Sequence, residues 1–166
     1  MVQVDVCPGC GLALAAPTAP TGIAPPGSSE GCWSVLLEVS AFEAEHVGLS
    51  AGHQLLVDAY GAQHAQPGSI RLPYSLVGLL LALEEDWPGP AVRALHGRMG
   101  RPRPDWPALA RPRLRGGRTI LDVAAAGARA GSEAGHESEL RTWAAEVWAA
   151  WSAQHEQVRA LAARFH

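Results

Sequence analysis

The chain has 166 residues, enough for one domain with a real hydrophobic core, and its formal net charge of −3 gives no electrostatic pull toward nucleic acid or an anionic membrane. It contains no lysine; all 13 basic residues are arginine, which excludes a Schiff-base lysine and a Walker A phosphate loop. Three cysteines, no basic leader before Asp5 and no apolar run longer than Leu76 to Leu83 point to a cytoplasmic protein, without a membrane span, whose thiols hold metal or stay free.

Residues 1–14 read as an extended segment closed by Cys7-Pro8-Gly9-Cys10-Gly11, a cysteine knuckle. Pro8 pre-sets the first turn position, and the two glycines permit the tight curve that aims both sulfurs inward. Residues 15–31 are rich in proline, glycine and serine and are expected to form a mobile loop. Helices are expected over 32–99. The first starts near Cys32 and carries Trp33, Leu36, Leu37 and Phe42. A second runs over about 50–64 with Ser50 as its N-cap, a third over 73–85, and a fourth over 88–99 with Pro88 at its start.

Residues 100–118 have no period and form an arginine- and proline-rich arm. Thr119 is placed to cap a helix through about Arg129, and Gly131 to Gly135 reads as a linker. The last helix is expected from about His136 to Phe165, with Leu140, Trp143, Val147, Trp148, Trp151, His155, Val158, Ala162 and Phe165 at steps of three and four. The fold class is therefore all-α: a single-domain helical bundle with a short N-terminal metal-binding knuckle.

A Cys-x-x-Cys turn flanked by proline and glycine suits a metal ion, most often zinc. A structural zinc takes four ligands. Cys7, Cys10 and Cys32 supply three, and the fourth falls to a histidine: His64 first, His53 as the alternative. These two histidines are eleven residues apart, so on one helix they stand roughly 16 Å apart along the axis, and at most one joins the cysteines. Pro-Gly-Cys-Gly is poor helix material, which disfavours a thioredoxin-type dithiol, though a Cys-x-x-Cys thiol redox role stays open.

The second helix reads His-Gln-Leu-Leu-Val-Asp-Ala-Tyr-Gly-Ala-Gln-His over 53–64. Asp58 and Tyr60 on it, with His155 across a pocket, are candidates for acid–base work in a zinc-dependent enzyme with an open metal position. The bland reading makes Tyr60 and Asp58 satisfied core groups and His155 a core imidazole against an indole. Arg101, Arg103, Arg111, Arg113, Arg115 and Arg118 are expected to pair with acidic helix faces and not with nucleic acid, since no nucleic-acid-binding motif accompanies them. The motifs HExxH, GxSxG, GxGxxG and a deaminase HxE with PCxxC are all missing.

Cys7-Pro8-Gly9-Cys10-Gly11, Cys32-Trp33, Val57-Asp58-Ala59-Tyr60 with Gln63-His64, and Trp143-Ala144 with Val147-Trp148 and Trp151 resemble an uncharacterised bacterial family of small CPxCG-containing helical proteins, DUF5946. The resemblance implies a small helical protein that binds metal, with no activity to carry over. This chain departs from the pattern by a proline-rich insert between Cys10 and Cys32 and by Ala65-Gln66 between His64 and Pro67. The expectation is a zinc-binding helical protein with Cys7, Cys10, Cys32 and His64 as ligands, whose partner is a small molecule or a protein.

Overall fold

The computed structural model describes residues 4–19, 22–100, 106–112 and 117–165. It opens on an antiparallel hairpin, β1 (Val4–Val6) paired with β2 (Ala13–Ala15), in the register Val4 to Ala15 and Val6 to Ala13. The cysteine knuckle is its turn. The Cys7 N–H donates to the Leu12 carbonyl at 2.8 Å, and the Gly11 N–H donates to the Cys7 carbonyl at 2.9 Å. Gly11 sits at φ +79°, a conformation that glycine adopts without steric cost. The stretch expected to be extended over 1–14 thus folds back on itself as a hairpin, whose second strand also takes Ala15, the first residue assigned to the proline-rich loop.

The rest is helical. The first helix, α1 (Glu30–Glu45), is capped by Ser29, whose hydroxyl accepts from the Cys32 N–H. After a 3-10 turn over Val47–Gly52 comes α2 (His53–His64). Ser50 does not cap α2: its hydroxyl donates back to the Val47 carbonyl at 2.8 Å, so the tighter turn claims it. The next elements are α3 (Arg71–Glu84) and α4 (Gly89–Met99), the latter entered through extended Pro88 with Pro90 in its first turn. Thr119 caps α5 (Ile120–Ala126) in a capping box with Asp122. Ser132 caps α6 (Glu133–Ala150), so the expected linker is mostly helix.

The long C-terminal helix breaks. Trp151 leaves helical geometry at φ −92°, ψ 12°, a 3-10 turn covers Ser152–Gln154, and α7 (His155–Ala162) follows. The break is stabilised by a side chain: His155 Nε2 donates to the Trp148 carbonyl at 2.9 Å, and the two rings stack at 3.7 Å. The apolar period continues across the break, which is why the sequence reads as one helix.

Helix α2 is the centre of the bundle, packed on α3 and α6; α5 lies between α1 and α6, while α4 and α7 cover α3. Close approach of α2 and α3 depends on two glycines. A Cβ on Gly61 would stand 2.2 Å from Ser75 Oγ, and one on Gly78 would stand 2.0 Å from Asp58 Oδ2. The core between these helices holds Leu56, Leu76, Leu79, Leu80 and Trp143, all inaccessible to solvent. Among the described residues no helix is long and apolar enough to cross a membrane.

Candidate metal centre

Three separate segments converge at the end of α2. Cys7 and Cys10 come from the hairpin turn, Cys32 from the first turn of α1, and His64 is the last residue of α2. The Sγ atoms of Cys10 and Cys32 are 3.8 Å apart, and Cys32 Sγ is 3.3 Å from His64 Nε2. The four donor atoms all lie within 4.8 Å of one another, and all four residues are buried, so the group could hold a metal ion. All three cysteines are free thiols.

Local chemistry aims each ligand. The Ser29 cap fixes the first turn of α1 and hence Cys32. His64 Nδ1 lies 2.8 Å from the Tyr60 carbonyl, one turn back. A carbonyl only accepts, so Nδ1 carries the hydrogen, and whenever the ring is neutral its lone pair is at Nε2, toward the sulfurs. The Tyr60 ring stacks on His64 at 3.9 Å, and its hydroxyl is hydrogen-bonded to Ser28. The knuckle seats closely: a Cβ on Gly9 would lie 2.4 Å from the Gly27 carbonyl and 2.5 Å from the His64 ring. Gly27, at φ +97°, passes so near α2 that a Cβ there would meet the His64 carbonyl at 2.0 Å. The second half of the proline-rich loop is therefore packed against the ligand histidine.

The charges in this cluster are interdependent. Hydrogen bonds from Cys10 and Cys32 push the Cys7 thiol pKa far down, while Cys10 first, then Cys7, push Cys32 up. Burial works against a charge on His64, yet contact with the Cys10 and Cys7 sulfurs raises it to about 9. Three thiolates this close repel, and a cation among them removes the conflict. Three sulfurs and one imidazole nitrogen form a donor set suited to a soft or borderline metal.

The other candidate residues fall elsewhere. His53 Nδ1 is 2.7 Å from Glu43 Oε2 and stands apart from the cysteines. Asp58 is buried against α3 with Gln54 Nε2 donating to it at 3.0 Å, and desolvation raises its pKa well above the carboxylate range. Tyr60 faces the metal cluster, and burial pushes its phenol up. His155 closes the helix break on Trp148. The cavity that Asp58 lines is not the groove that Tyr60 and His64 line, and His155 lines neither.

In the arginine-rich arm, Arg111 donates to the Gly9 carbonyl at 2.9 Å and the Gln63 carbonyl at 3.0 Å, tying the knuckle to α2. Arg118 pairs with Glu139 and Glu146 of α6. Arg101, Arg103, Arg113 and Arg115 lie outside the described residues.

Sequence reasoning missed a second buried polar group. Glu43, on α1, receives His136 of α6 at 2.9 Å on Oε1 and His53 of α2 at 2.7 Å on Oε2. A signal was present: Glu43 follows Leu36 by seven residues and Val39 by four, which puts it on the buried helix face. No comparable signal marks Arg111, whose partners are backbone carbonyls far away in sequence.

A model for a family of unknown function, DUF5946, matches residues 5–152 of the chain. No curated protein and no solved structure matches it.

Proposed function

We propose, for a chain that belongs to the DUF5946 family and takes no assigned activity from it, that Cys7, Cys10, Cys32 and His64 form a closed structural zinc site. One observation carries this reading. Tetrahedral zinc, with Zn–S near 2.3 Å and Zn–N near 2.0–2.1 Å, requires ligand edges of about 3.8 Å between sulfurs and about 3.5 Å between sulfur and nitrogen. The Cys10–Cys32 and Cys32–His64 separations are 3.8 and 3.3 Å. Four protein donors leave no coordination position for water, and their burial fits a site that stabilises the fold.

The ligands come from the hairpin, α1 and α2, so the ion would pin the N-terminal hairpin and the loop after it to the bundle. The short hairpin is a marginal unit by itself, and binding energy at such a site appears as folding energy. A reducing cytoplasm, the setting inferred from the cysteine usage, keeps the thiols available. In this reading the metal serves architecture, and recognition of a small molecule or a protein takes place elsewhere on the surface.

The test is the elemental content of the purified protein beside Cys7→Ser, followed by melting with and without a chelator. About one zinc per chain, lost in the variant, with a lowered melting temperature in chelator, is the expected result. A protein without stoichiometric metal, or one whose melting ignores the chelator, overturns the reading.

A further inference from the structure

A cavity of about 450 Å³ opens on the side of α2 away from the cysteines. That volume falls within the range of small-molecule sites. Its walls come from α2, the end of α3, the loop into α4, α4 itself and α6, so it is held by several packed elements. The apolar walls include Leu55, Trp87, Val92 and Leu140, and the polar groups facing it are Gln54, Asp58, Asp86, Glu137 and Arg141.

Hydrogen-bonding capacity indicates what would fit. Arg141, the cation here, is paired with Asp86 at 3.2 Å across the exposed mouth. The Gln54 amide donates to Asp58 Oδ2 at 3.0 Å. With Asp58 ionised, the remaining capacity of these lining side chains is mainly acceptor: the other Asp58 oxygen, the Gln54 carbonyl and the Glu137 carboxylate. Asp58 is 3% exposed, and Gln54 is its one hydrogen-bond partner among the described residues. It lies between α2 and the bare Cα of Gly78. An indole wall beside surplus carboxyl groups favours a cation over an anion or a neutral ligand.

We propose that this cavity is a binding site for a small organic ammonium, a primary amine on an apolar body, with Asp58 as its inner anchor and Glu137 at the mouth. The site is independent of the metal centre. Burial pushes the Asp58 carboxyl well above its ordinary pKa, and a cation beside it would bring it down again. An entering ammonium would stabilise the Asp58 carboxylate in a carboxylate–ammonium pair, and whatever proton the carboxyl holds would go to solvent, so binding is accompanied by proton release. The titratable and charged groups facing the space are Asp58 of α2, Asp86 of the loop, and Glu137 and Arg141 of α6; the α3 and α4 lining residues, Ala82 and Val92, are neutral.

Three probes of similar size test this on the full-length, metal-loaded protein: 2-phenylethylammonium, 2-phenylethanol and phenylacetate. Calorimetry in buffers of different ionisation heat reads affinity and proton release, and amide and side-chain chemical shifts locate the ligand. The ammonium is expected to bind roughly tenfold or more tightly than the alcohol, with phenylacetate weakest, and to shift the Trp87 and Gln54 side-chain signals. Asp58→Asn should abolish the proton release and weaken the amine roughly tenfold. Glu137→Gln, at an exposed position that leaves the fold alone, should weaken it severalfold and serves if Asp58→Asn does not fold. Equal binding of alcohol and amine, shifts that map elsewhere, or an amine affinity unchanged in the folded variants overturns the proposal.

Discussion

His64 donates its Nδ1 hydrogen to the Tyr60 carbonyl 2.8 Å away and so turns Nε2 toward Cys32, 3.3 Å from its sulfur. Both are residues of α2, and one helical turn fixes the tautomer of the ring. In the metal-free cluster at neutral pH, His64, raised to about 9, holds a proton, and so does Cys32, whose pKa is pushed up by Cys10 and Cys7. Both protons must leave when a metal binds. We expect zinc binding at pH 7 to release at least about two protons, and about one fewer in His64→Asn. Calorimetry in buffers of different ionisation heat measures the number. A release near zero contradicts this assignment of protons.

Glu43 supports a second junction, between α1, α2 and α6. Its side chain and that of His136 are 2% and 1% exposed, whereas His53 is 43% exposed. Water can replace Glu43 as partner for His53 but not for His136, whose Nδ1 already has no partner among the described residues. Glu43→Leu is therefore expected to destabilise by about 1–3 kcal/mol through the orphaned His136. In double-mutant cycles by chemical denaturation, the Glu43–His136 coupling should exceed the Glu43–His53 coupling. Equal couplings would show that burial does not set the strength of this junction.

Much of this architecture was legible from local signals. The Thr119 cap, the apolar stripe of α6 and the Cys-x-x-Cys turn each depend on residues within a turn of one another, and each appears in the fold. Helical rise allowed at most one of His53 and His64 to join the cysteines, and His64, at the end of α2, is the one in the cluster. What stayed hidden is decided by tertiary contact. The break at Trp151 depends on His155 folding back onto the Trp148 carbonyl. Ser50 has the right type for a cap but bonds back to Val47. Asp58 and Tyr60 lie two residues apart in sequence, yet they line different cavities, because two residues turn a helix through about 200°.

His96 should shape the acid limb of stability. It is largely buried on α4, edge-on to Tyr74 at 5.3 Å, with Nε2 lacking a partner among the described residues. Burial, opposed in part by a hydrogen bond with the Tyr74 backbone, lowers its pKa from 6.5 to about 4. Between these two values the unfolded chain binds a proton that the folded chain does not. Stability from this group is thus complete above pH 6.5 and is lost as the pH falls toward 4. His96→Leu should flatten that limb by about 2–3 kcal/mol, measured as the stability difference between pH 7 and pH 4. An acid limb unchanged in the variant would assign the loss to other groups.

Glycine substitutions separate close approach from open space. Gly9 has ordinary backbone angles, yet any Cβ there collides with the Gly27 carbonyl and the His64 ring at 2.4 and 2.5 Å. Neither is the free end of a flexible side chain, so Gly9→Ala must push the knuckle off α2 and move Cys7 and Cys10 away from His64. Gly97 lies within α4, and a Cβ there meets nothing within 4 Å. Alanine at that position removes unfolded-chain entropy without strain and should stabilise by about 0.5–1 kcal/mol. Gly9→Ala should instead lower the melting temperature and speed zinc loss to a chromogenic chelator, while Gly97→Ala raises the melting temperature and leaves the release rate alone. If both variants released zinc at the parent rate, the close seating of the knuckle would not be what holds the metal ligands together.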